Sequence, residues 1–327
     1  MLDVITIGSA SVDVFISSKS KSIELLRHNK HEDVCMPVGE KILIDYMHQD
    51  TGGAGTNTAV AFSRLGFKTA WLGKISSDMN SRHILEQMKK EKVQFIGKTE
   101  RGESAGFSII IIGIEKDRTI LSYKGINDHL TAKDVDFEKL KAKWIYMGSM
   151  LGKSFETCEK IAEFAKRKRT SIAFNPSIYL AQKGVKGLHK ILSACKLIVL
   201  NKEEAKAITG KKTENINTLL KELQQHVLLA VITDGAKGAY AYDGSKKYTL
   251  HPCQVKVVET TGAGDSFASG FLAGMMLRND IEYALQMGYA EASAVIQHVG
   301  AKEKLLTRKE AESLIKRRPC RITKERL

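Results

Sequence analysis

Short apolar runs alternate with amphipathic stretches over most of the chain. The apolar runs predict strands at residues 3–7, 69–72, 143–147, 171–174, 197–200 and 228–233. Between them, apolar positions recur every three or four residues, which predicts helices over 56–65, 81–91, 155–166, 202–208 and 216–226. Strands that alternate with helices are typical of a mostly parallel sheet covered on both faces, so we expect an α/β, doubly wound fold.

Two regions break this alternation and carry no helical pattern. Residues 38–47, and 105–114 together with 119–124, predict antiparallel strands, the second pair joined by a turn at 115–118. We expect them to form a small β-sheet lid at one edge of the main sheet. The expected units are an α/β core that carries the chemistry (1–14, 48–103 and 125–320), a β-lid (15–47 and 104–124) and a solvated basic C-terminal tail (321–327).

The composition is that of a soluble globular protein, with 43% hydrophobic and 27% charged residues among 327. No apolar run approaches the roughly 20 residues of a membrane span, so no membrane association is expected. Residues 1–8 predict a first strand rather than a signal peptide, and we therefore expect a cytoplasmic location. Five scattered cysteines without a CxxC pair favour reduced, buried thiols over a disulfide framework or a zinc site.

The formal net charge of +14 is the one unusual bulk property. Positive potential attracts nucleotide triphosphates and phosphorylated substrates, and also nucleic acid. Much of the excess charge lies on predicted helix faces, and the chain has neither an aromatic-rich RNA platform nor a zinc finger. A nucleic-acid partner is therefore not expected.

The strongest chemical motif is at residues 259–267, where a long helical pattern begins. Gly262, Ala263 and Gly264 leave backbone N–H groups exposed at a helix N-terminus, where orphan donors and the helix dipole attract an anion. Asp265 at the same helix start can cap the helix or act as a base beside bound phosphate. A glycine-rich turn with an aspartate cap is the alternative that requires no function.

A group of residues in the N-terminal part of the chain is suited to binding hydroxyl groups. Gly52 and Gly53 let a ligand approach the backbone at a helix start, and Asn57 can both donate and accept hydrogen bonds. Asp13 follows the first strand, where a carboxylate suits the vicinal hydroxyls of a sugar. A simple turn aspartate is the alternative for this position.

Two further motifs follow strands in the C-terminal half. Asn201 can cap the next helix, and Glu204 can reach a Mg²⁺-bound water. The turn that contains Thr233, Gly235 and Gly238 presents N–H groups to phosphate if a nucleotide binds there. As a hairpin it requires no function.

The order and spacing of these motifs resemble those of the ribokinase-type (pfkB) carbohydrate and nucleoside kinases. The resemblance rests on residues 52–53, 201–204 and 261–265, and it spans nearly the whole chain, from Asp13 to about Ala301. It implies a ribokinase-like doubly wound sheet with a small β-lid, and transfer of the γ-phosphate of ATP, with Mg²⁺, to a hydroxyl of a small sugar or nucleoside. In the implied site Asp265 is the catalytic base, and together with Gly262, Ala263 and Gly264 it forms the anion hole. The substrate would be bound by Asp13, Gly52, Gly53 and Asn57. The nucleotide would be bound by Asn175, Asn201, Glu204, Thr233, Gly235 and Gly238.

Some positions depart from the family pattern. Ribokinases carry a lysine after the double glycine, where this chain has Ala54. They also have a glutamate after the strand that here ends at Met147, where Gly148 and Ser149 supply no carboxylate. Both departures argue against ribose as the substrate.

The resemblance also implies a monovalent cation. Glu259 stands where the family usually has aspartate, and it keeps the charge on a longer side chain. In K⁺-activated members this position forms part of the cation site. The corresponding K⁺ site here would consist of Glu259, Thr261 and the carbonyl groups near Val295, His298 and Gly300.

Other classes of protein fit the sequence less well. Residues 148–154 approach a Walker motif but have three rather than four residues between their glycines. The run at 262–267 lacks the third glycine of a dinucleotide-binding motif. A catalytically silent binding module is disfavoured because Asp265, Gly262 and Glu204 occur together.

Within the kinase class, the acceptor remains open between a sugar, a sugar phosphate and a nucleoside. Aromatic side chains that could stack on a base are Phe15, Tyr46 and Phe107, and basic side chains that could clamp a phosphate are Lys41, Arg118 and Lys124. Packing and exposed turns explain these residues equally well, and we favour a sugar. The apolar strand at 108–112 could also pair two lids in a homodimer.

Overall fold

The computed structural model describes residues 1–20, 23–28, 32–114 and 117–327. The strands in chain order are β1 (Leu2–Ile7), β2 (Ser11–Ser17), β3 (Glu24–Arg27), β4 (Glu32–Cys35), β5 (Tyr46–Gly52), β6 (Thr69–Leu72), β7 (Lys74–Ile75), β8 (Gln94–Phe95), β9 (Lys98–Thr99), β10 (Gly106–Ile114), β11 (Asp117–Tyr123), β12 (Ala142–Met147), β13 (Ser171–Phe174), β14 (Cys195–Asn201), β15 (Leu229–Thr233), β16 (Ala239–Tyr242), β17 (Lys246–His251) and β18 (Arg321–Arg326).

The α-helices alternate with these strands over most of the chain. In chain order they are α1 (Ala54–Arg64), α2 (Met79–Lys90), α3 (Gly152–Lys168), α4 (Ile178–Ala181), α5 (Gly184–Gly187), α6 (His189–Leu192), α7 (Lys202–Thr209), α8 (Ile216–Gln224), α9 (Ala263–Arg278), α10 (Ile281–Val295) and α11 (Arg308–Arg317). Every strand and helix predicted from the alternating pattern is present, with ends that differ by a few residues.

A ten-stranded sheet forms the centre of the molecule, in the order β18-β17-β16-β15-β14-β13-β12-β1-β6-β8. Its strands are parallel from β15 to β8, and β16, β17 and β18 are added antiparallel at one edge. The side chains of consecutive strand residues point to opposite faces of the sheet. Val4 of β1 lies in a core cluster with α1, α9 and α10, whereas Ile5 lies in a second cluster with α3, α7 and α8, so helices cover both faces. The doubly wound α/β prediction is therefore confirmed.

The strand order reverses beside β1, because the chain runs from β1 outward to β6 and later returns to β12 on the other side. In open α/β sheets, ligands bind in the crevice outside the carboxyl ends of the strands at such a point. The loops that follow β1, β12, β13, β14 and β15 all reach this edge, and Asn175, Asn201 and the turn at 233–238 lie at or just after the ends of β13, β14 and β15.

A second sheet, in the order β11-β10-β2-β5, corresponds to the predicted lid. Strands β10 and β11 are antiparallel as predicted, and Glu115 and Lys116 of the predicted turn lie outside the described residues. The core boundary at residue 14 is wrong, because β2 begins at Ser11 and carries Asp13 into the second sheet.

Two further predictions about the lid are wrong. The strand predicted at 38–47 begins only at Tyr46, because Val38 and Leu43 are fully or largely exposed and have no partner strand. The segment 108–112 lies within β10, an inner strand between β11 and β2, so its backbone is not free to pair with a second lid.

The C-terminal segment is not a solvated tail. Residues 321–326 form β18, which pairs along the whole of β17 with Leu250 opposite Ile322. Ile322 packs on the core cluster around α9 and α10, and Lys247 forms an ion pair with Glu325 at 2.5 Å. The basic side chains therefore lie on an ordered edge strand, where charge also protects the edge from pairing.

None of the helices in the described ranges is both long and apolar enough to cross a membrane. The five cysteines are free thiols; Cys158, Cys195 and Cys320 are buried as predicted, whereas Cys35 and Cys253 are only half-buried.

Candidate active site

The predicted anion site lies at the start of α9. Gly262 adopts a left-handed conformation with φ 78°, and a Cβ there would lie 2.7 Å from the side chain of Ala301. Glycine is therefore required, since it alone permits both the turn and this close approach. The N–H of Ala263 donates to Thr260, whereas the N–H groups of Gly264 and Asp265 make no hydrogen bond within the described chain. These two donors and the dipole of a 16-residue helix suit an anion.

Helix α1 brings the N-terminal motif to the same place. Its first turn packs against the end of β1 so closely that a Cβ on Gly8 would lie 2.6 Å from Gly55. Asn57 in this turn donates from Nδ2 to Asp265 Oδ2 at 3.0 Å, across 208 positions of sequence. The Oδ1 atom of Asn57 is buried and has no hydrogen-bond partner among the described residues, so it can accept a hydrogen bond from a ligand hydroxyl.

Asp13 completes this group from the lid sheet. Its carboxylate is buried, accepts a hydrogen bond from Ser11 Oγ at 2.7 Å, and lies against the Cα of Gly52 on the neighbouring strand. Burial raises the pKa of Asp13. Burial, and secondarily the charge of Asp13, also raise the pKa of Asp265. The structure therefore brings Asp13, Gly52, Asn57 and Asp265 together.

A cleft of about 240 Å³ leads away from Asp265 along the carboxyl ends of the strands. Asn201 caps α7 as predicted, and Glu204 accepts the Asn201 N–H at 2.8 Å in a reciprocal capping box. Burial raises the pKa of Glu204 to about 7. Asn175 is held by a 2.6 Å hydrogen bond to the carbonyl of Val199. The cleft is lined by Asn175, Asn201, Glu204, Thr233, Gly262, Gly264 and Asp265, among others.

A larger and mostly apolar cavity of about 540 Å³ adjoins this cleft, sharing Thr233, Thr260 and Gly264 with it. Gly235 and Gly238, which the resemblance implied for the nucleotide, line this cavity. Its remaining walls include Phe267, from the motif at 259–267, and residues that no motif indicated, chiefly Leu250, Pro252, Cys253, Val255, Val257, Tyr289 and Ile296. The residues outside the motif come from two separate segments, so no local pattern in the sequence could have revealed them.

Arg118 also reaches the site from the lid strand β11. Its Nε lies 3.2 Å from Glu259 Oε1, its guanidinium donates to Thr260 Oγ1, and it lines the smaller cleft beside Asp265. The sequence suggested Arg118 only as a clamp for a phosphorylated acceptor.

Two side-chain oxygens of the predicted K⁺ site are available to a cation, whereas the Val295 carbonyl already accepts the His298 N–H at 3.0 Å. Glu259 Oε1 accepts the Thr261 N–H at 2.6 Å, whereas Glu259 Oε2 and Thr261 Oγ1 are buried oxygens without a hydrogen-bond partner in the described chain. The Glu259 N–H donates to the carbonyl of Ile296, which brings this loop to the end of α10, next to Val295 and His298. Gly300 lies two residues beyond His298, with its Cα facing Asp50.

The described residues contain no cluster of three His, Cys, Asp or Glu side chains that could hold a metal ion by themselves. A Mg²⁺ ion that binds with nucleotide phosphates needs only one or two carboxylates and several waters. Glu204, which lines the cleft, fits that requirement.

Sequence reasoning missed Lys302 entirely. Its side chain is buried, and its Nζ donates to Thr51 Oγ1 at 2.5 Å, next to Gly52. Burial lowers the pKa of Lys302 to about 8, and the charges of Asp50 and Asp13 oppose this effect. It therefore adds positive charge close to the Asp13 carboxylate.

The comparison with known families identifies the class of protein. A sequence profile of the pfkB family carbohydrate kinases matches residues 4–308. The chain belongs to this family. This carbohydrate kinase is thus a phosphotransferase that acts on a sugar or nucleoside, and the resemblance inferred from the motifs is confirmed.

Relatives of this carbohydrate kinase agree with that assignment. It is 30% identical over 254 residues to an uncharacterized sugar kinase of Archaeoglobus fulgidus, which covers 75% of this chain and 98% of the relative. It is 28% identical over 331 residues to a 5-dehydro-2-deoxygluconokinase of Bacillus licheniformis, an alignment that covers 96% of this chain and 95% of the relative. The ribokinase of Giardia lamblia has the same fold, with a TM-score of 0.81 at 19% identity over 97% of this chain and 99% of that one.

Proposed function

We propose that this kinase transfers the γ-phosphate of ATP to a hydroxyl of a small sugar-type acceptor, with Asp265 as the general base. The observation that carries the proposal is the convergence of Asp13, Asn57 and Asp265 on the anion-binding start of α9. Hydroxyl-binding groups from the N-terminal part of the chain thus face a carboxylate and free N–H donors from the C-terminal part.

The two adjoining cavities suggest how the substrates lie. The adenosine part of ATP would occupy the apolar cavity, and the phosphates would pass Thr233 and Gly264 toward the N–H groups of Gly264 and Asp265. Asp13 and Asn57 would hold the acceptor so that one hydroxyl lies in line with the γ-phosphate and gives its proton to Asp265. Positioning and charge stabilisation supply most of the catalysis in such transfers.

Bound cations complete the proposed site. Glu204 would hold Mg²⁺ through a water molecule, and Mg²⁺ would neutralise charge on the phosphates. Glu259 and Thr261 would hold K⁺ with their unpaired oxygens, beside the positive charge of Arg118.

A sugar is favoured over a nucleoside by the positions of the aromatic residues. Phe15 is 1% exposed and packs within the structure, and Tyr46 and Phe107 lie on the outermost and on an inner lid strand. Phe15 is too buried to stack on a base, Tyr46 is 41% exposed at the edge of the lid sheet, and the relatives named above are sugar kinases.

A phosphorylated sugar is also less favoured. Of the three basic residues considered for it, Arg118 is already engaged with Glu259, and Lys41 and Lys124 do not line the cleft beside Asp265. The name of the Bacillus licheniformis relative specifies a keto-deoxy sugar acid as its substrate, so a compound of this type should be among the acceptors that are tested.

A coupled ADP-release assay over aldoses, ketoses, keto-deoxy sugar acids, sugar phosphates and nucleosides tests the proposal. We expect one sugar class to release ADP well above the rate without acceptor. Asp265→Asn should lower kcat at least about 100-fold, because a positioned base contributes roughly 10²–10⁴-fold, while ATP affinity changes little.

Asp136→Asn, an exposed aspartate outside the site, is the matched control and should behave like the wild type. Near-normal turnover in Asp265→Asn would contradict the role of the base. Activity confined to nucleosides would contradict the acceptor class.

A further inference from the structure

Two cysteine thiols that the proposed transfer does not use lie in contact at the wall of the apolar cavity. Cys253 Sγ and Cys320 Sγ are 3.4 Å apart, although 67 positions separate them in the sequence. Cys253 is half-buried and lines the cavity, whereas Cys320 is 5% exposed and lies behind that wall, immediately before β18.

Helix α10 holds the backbones of both cysteines in place. The Gln286 side chain donates to the Cys320 carbonyl at 2.7 Å and accepts the Cys320 N–H at 3.0 Å. Tyr289, one helical turn further on, donates from its hydroxyl to the Cys253 carbonyl at 2.5 Å. The thiol contact is therefore fixed by two residues on one face of α10 and does not depend on side-chain rotamers alone.

The separation of the sulfur atoms permits a covalent bond after a small movement. An S–S bond is roughly 2.05 Å long, so the two atoms need to approach by roughly 1.3 Å. Strand β17 ends two residues before Cys253 and β18 begins directly after Cys320, with His251 opposite Arg321, so the two backbones already run close together.

We propose that Cys253 and Cys320 form a reversible dithiol–disulfide site, oxidised by a hydroperoxide, that links the start of the C-terminal strand to the wall of the nucleotide cavity. The site itself follows from the thiol contact, and its effect on ATP rests on the proposed function of that cavity.

The oxidation proceeds in two balanced steps. The Cys253 sulfur attacks one oxygen of hydrogen peroxide, the O–O bond breaks, and Cys253 becomes a sulfenic acid while the other oxygen leaves as water with the thiol proton of Cys253. The Cys320 sulfur then attacks the Cys253 sulfur, the S–O bond breaks, and the second water leaves with the proton of Cys320. Together the two thiols lose two electrons and two protons, and hydrogen peroxide is reduced to two waters.

The roles of the two thiols follow from their surroundings. Burial, and the hydrogen bond with Cys253, raise the pKa of Cys320 to about 12, so the more accessible Cys253 reacts first and Cys320 resolves the intermediate. Cys158 and Cys195 are buried in the core with pKa values raised by burial to about 12, so they should stay reduced.

The disulfide should affect both stability and nucleotide binding. A cross-link between positions 67 residues apart restricts the unfolded chain, so Tm should rise by several degrees. Because Cys320 lies behind the wall, bond formation draws Cys253 away from the cavity. We therefore expect the KM for ATP to rise roughly threefold or more, with a smaller effect on kcat.

The full-length protein is treated with hydrogen peroxide, then alkylated, digested without reductant and analysed by mass spectrometry. We expect a cross-linked peptide pair containing Cys253 and Cys320, a loss of about 2 Da from the whole protein, and reversal by dithiothreitol. Oxidised glutathione in a parallel sample tests whether a disulfide can replace the hydroperoxide as oxidant.

Two variants serve as controls. Cys320→Ser should keep the reduced enzyme's activity and lose the cross-link, the Tm rise and the change in KM. Cys35→Ser removes a half-buried thiol elsewhere in the chain and should respond to oxidant as the wild type does.

Over-oxidation of Cys253 without a cross-link, or a cross-link through Cys35, would overturn the site. A Cys253–Cys320 cross-link that leaves the KM for ATP unchanged would overturn the link to the nucleotide cavity. The cross-link and Tm readouts need no acceptor, so a failure to find any sugar substrate would affect the proposed function and not this site.

Discussion

At the scale of single residues, the contact between Asp13 and Gly52 fixes the position of the carboxylate that we propose binds the acceptor. The carboxylate of Asp13 occupies the space where any larger residue at position 52 would place its side chain, since a Cβ there would lie 1.8 Å from Oδ2. Gly52 is not in a left-handed conformation. Glycine is therefore required by this contact and not by backbone strain.

Gly52→Ala should displace the Asp13 carboxylate without disturbing the nucleotide cavities. We expect the KM for the sugar acceptor to rise roughly 10-fold or more, because hydrogen bonds to a charged group contribute about 1.5–3 kcal/mol, while the KM for ATP stays nearly constant. Steady-state kinetics with each substrate varied in turn measure this difference. Asp13→Asn should show the same pattern, and an equal rise in both KM values would contradict the role of Asp13 in binding the acceptor.

The residues found from sequence and those missed differ in a physical way. Gly262 and Asp265 could be predicted because the turn and the helix start impose their identities locally. Arg118 and Lys302 could not, because each acquires its role only when distant segments meet, Arg118 at Glu259 and Lys302 at Thr51. In the sequence alone, these two residues cannot be distinguished from lysines and arginines of exposed turns.

At the scale of elements, the packing of α9 against α10 buries a carboxylate. Gly270 of α9 leaves room for the Glu291 side chain, whose Cγ would lie 2.9 Å from a Cβ at position 270. Glu291 Oε2 accepts a 3.3 Å hydrogen bond from Leu306, and Oε1 has no partner among the described residues. Burial therefore raises the pKa of Glu291 to about 8.

This carboxylate should make stability depend on pH. Below about pH 4.5 Glu291 is neutral in both folded and unfolded chains. Between about 4.5 and 8 the unfolded chain releases the proton while the folded protein retains it, so the free energy of unfolding falls as pH rises. Glu291→Gln removes this loss and should have a Tm at pH 8.5 higher than the wild type by about 3 °C or more, with little difference at pH 4.5.

Thermal melts of the two proteins across this pH range measure the effect. Glu86→Gln, an exposed carboxylate on α2, is the matched control and should follow the wild-type curve. Parallel curves for Glu291→Gln and the wild type would contradict a raised pKa for Glu291.

The elements of the core could be predicted because each buries a regular apolar pattern. The lid was less predictable, since β5 carries few buried residues before Thr51 and is held mainly by its register with β2. That register depends on a partner strand elsewhere in the sequence, and so the strand was placed several residues too early.

At the scale of the whole molecule, β18 completes one edge of the ten-stranded sheet. It covers β17, whose Leu250 also lines the apolar cavity. Its sequence is strongly charged, which is why composition alone suggested a solvated tail. Only the pairing with β17 distinguishes an edge strand of this kind from disordered residues.

Removal of residues 321–327 should therefore destabilise the protein. We expect Tm to fall by more than about 5 °C, because the pairing with β17 and the packing of Ile322 are lost, and we expect aggregation through the exposed edge. Arg326→Ala, which changes one exposed side chain and keeps the strand, should leave Tm unchanged. If the truncated protein has the same Tm as the wild type, residues 321–327 contribute no stability and the interpretation of this segment as a solvated tail would be correct.

In the proposed site the acceptor is held from two parts of the chain, since Asp13 lies on β2 of the lid sheet whereas Asn57 and Asp265 lie on helices of the core. Only one of the proposed contacts with the acceptor therefore depends on the lid strands. Substitutions in the lid strands would change the contact that Asp13 makes with the acceptor, while Asp265 and the start of α9 keep their positions in the core. The lid strands are therefore the place to exchange sequence between family members in order to change the acceptor.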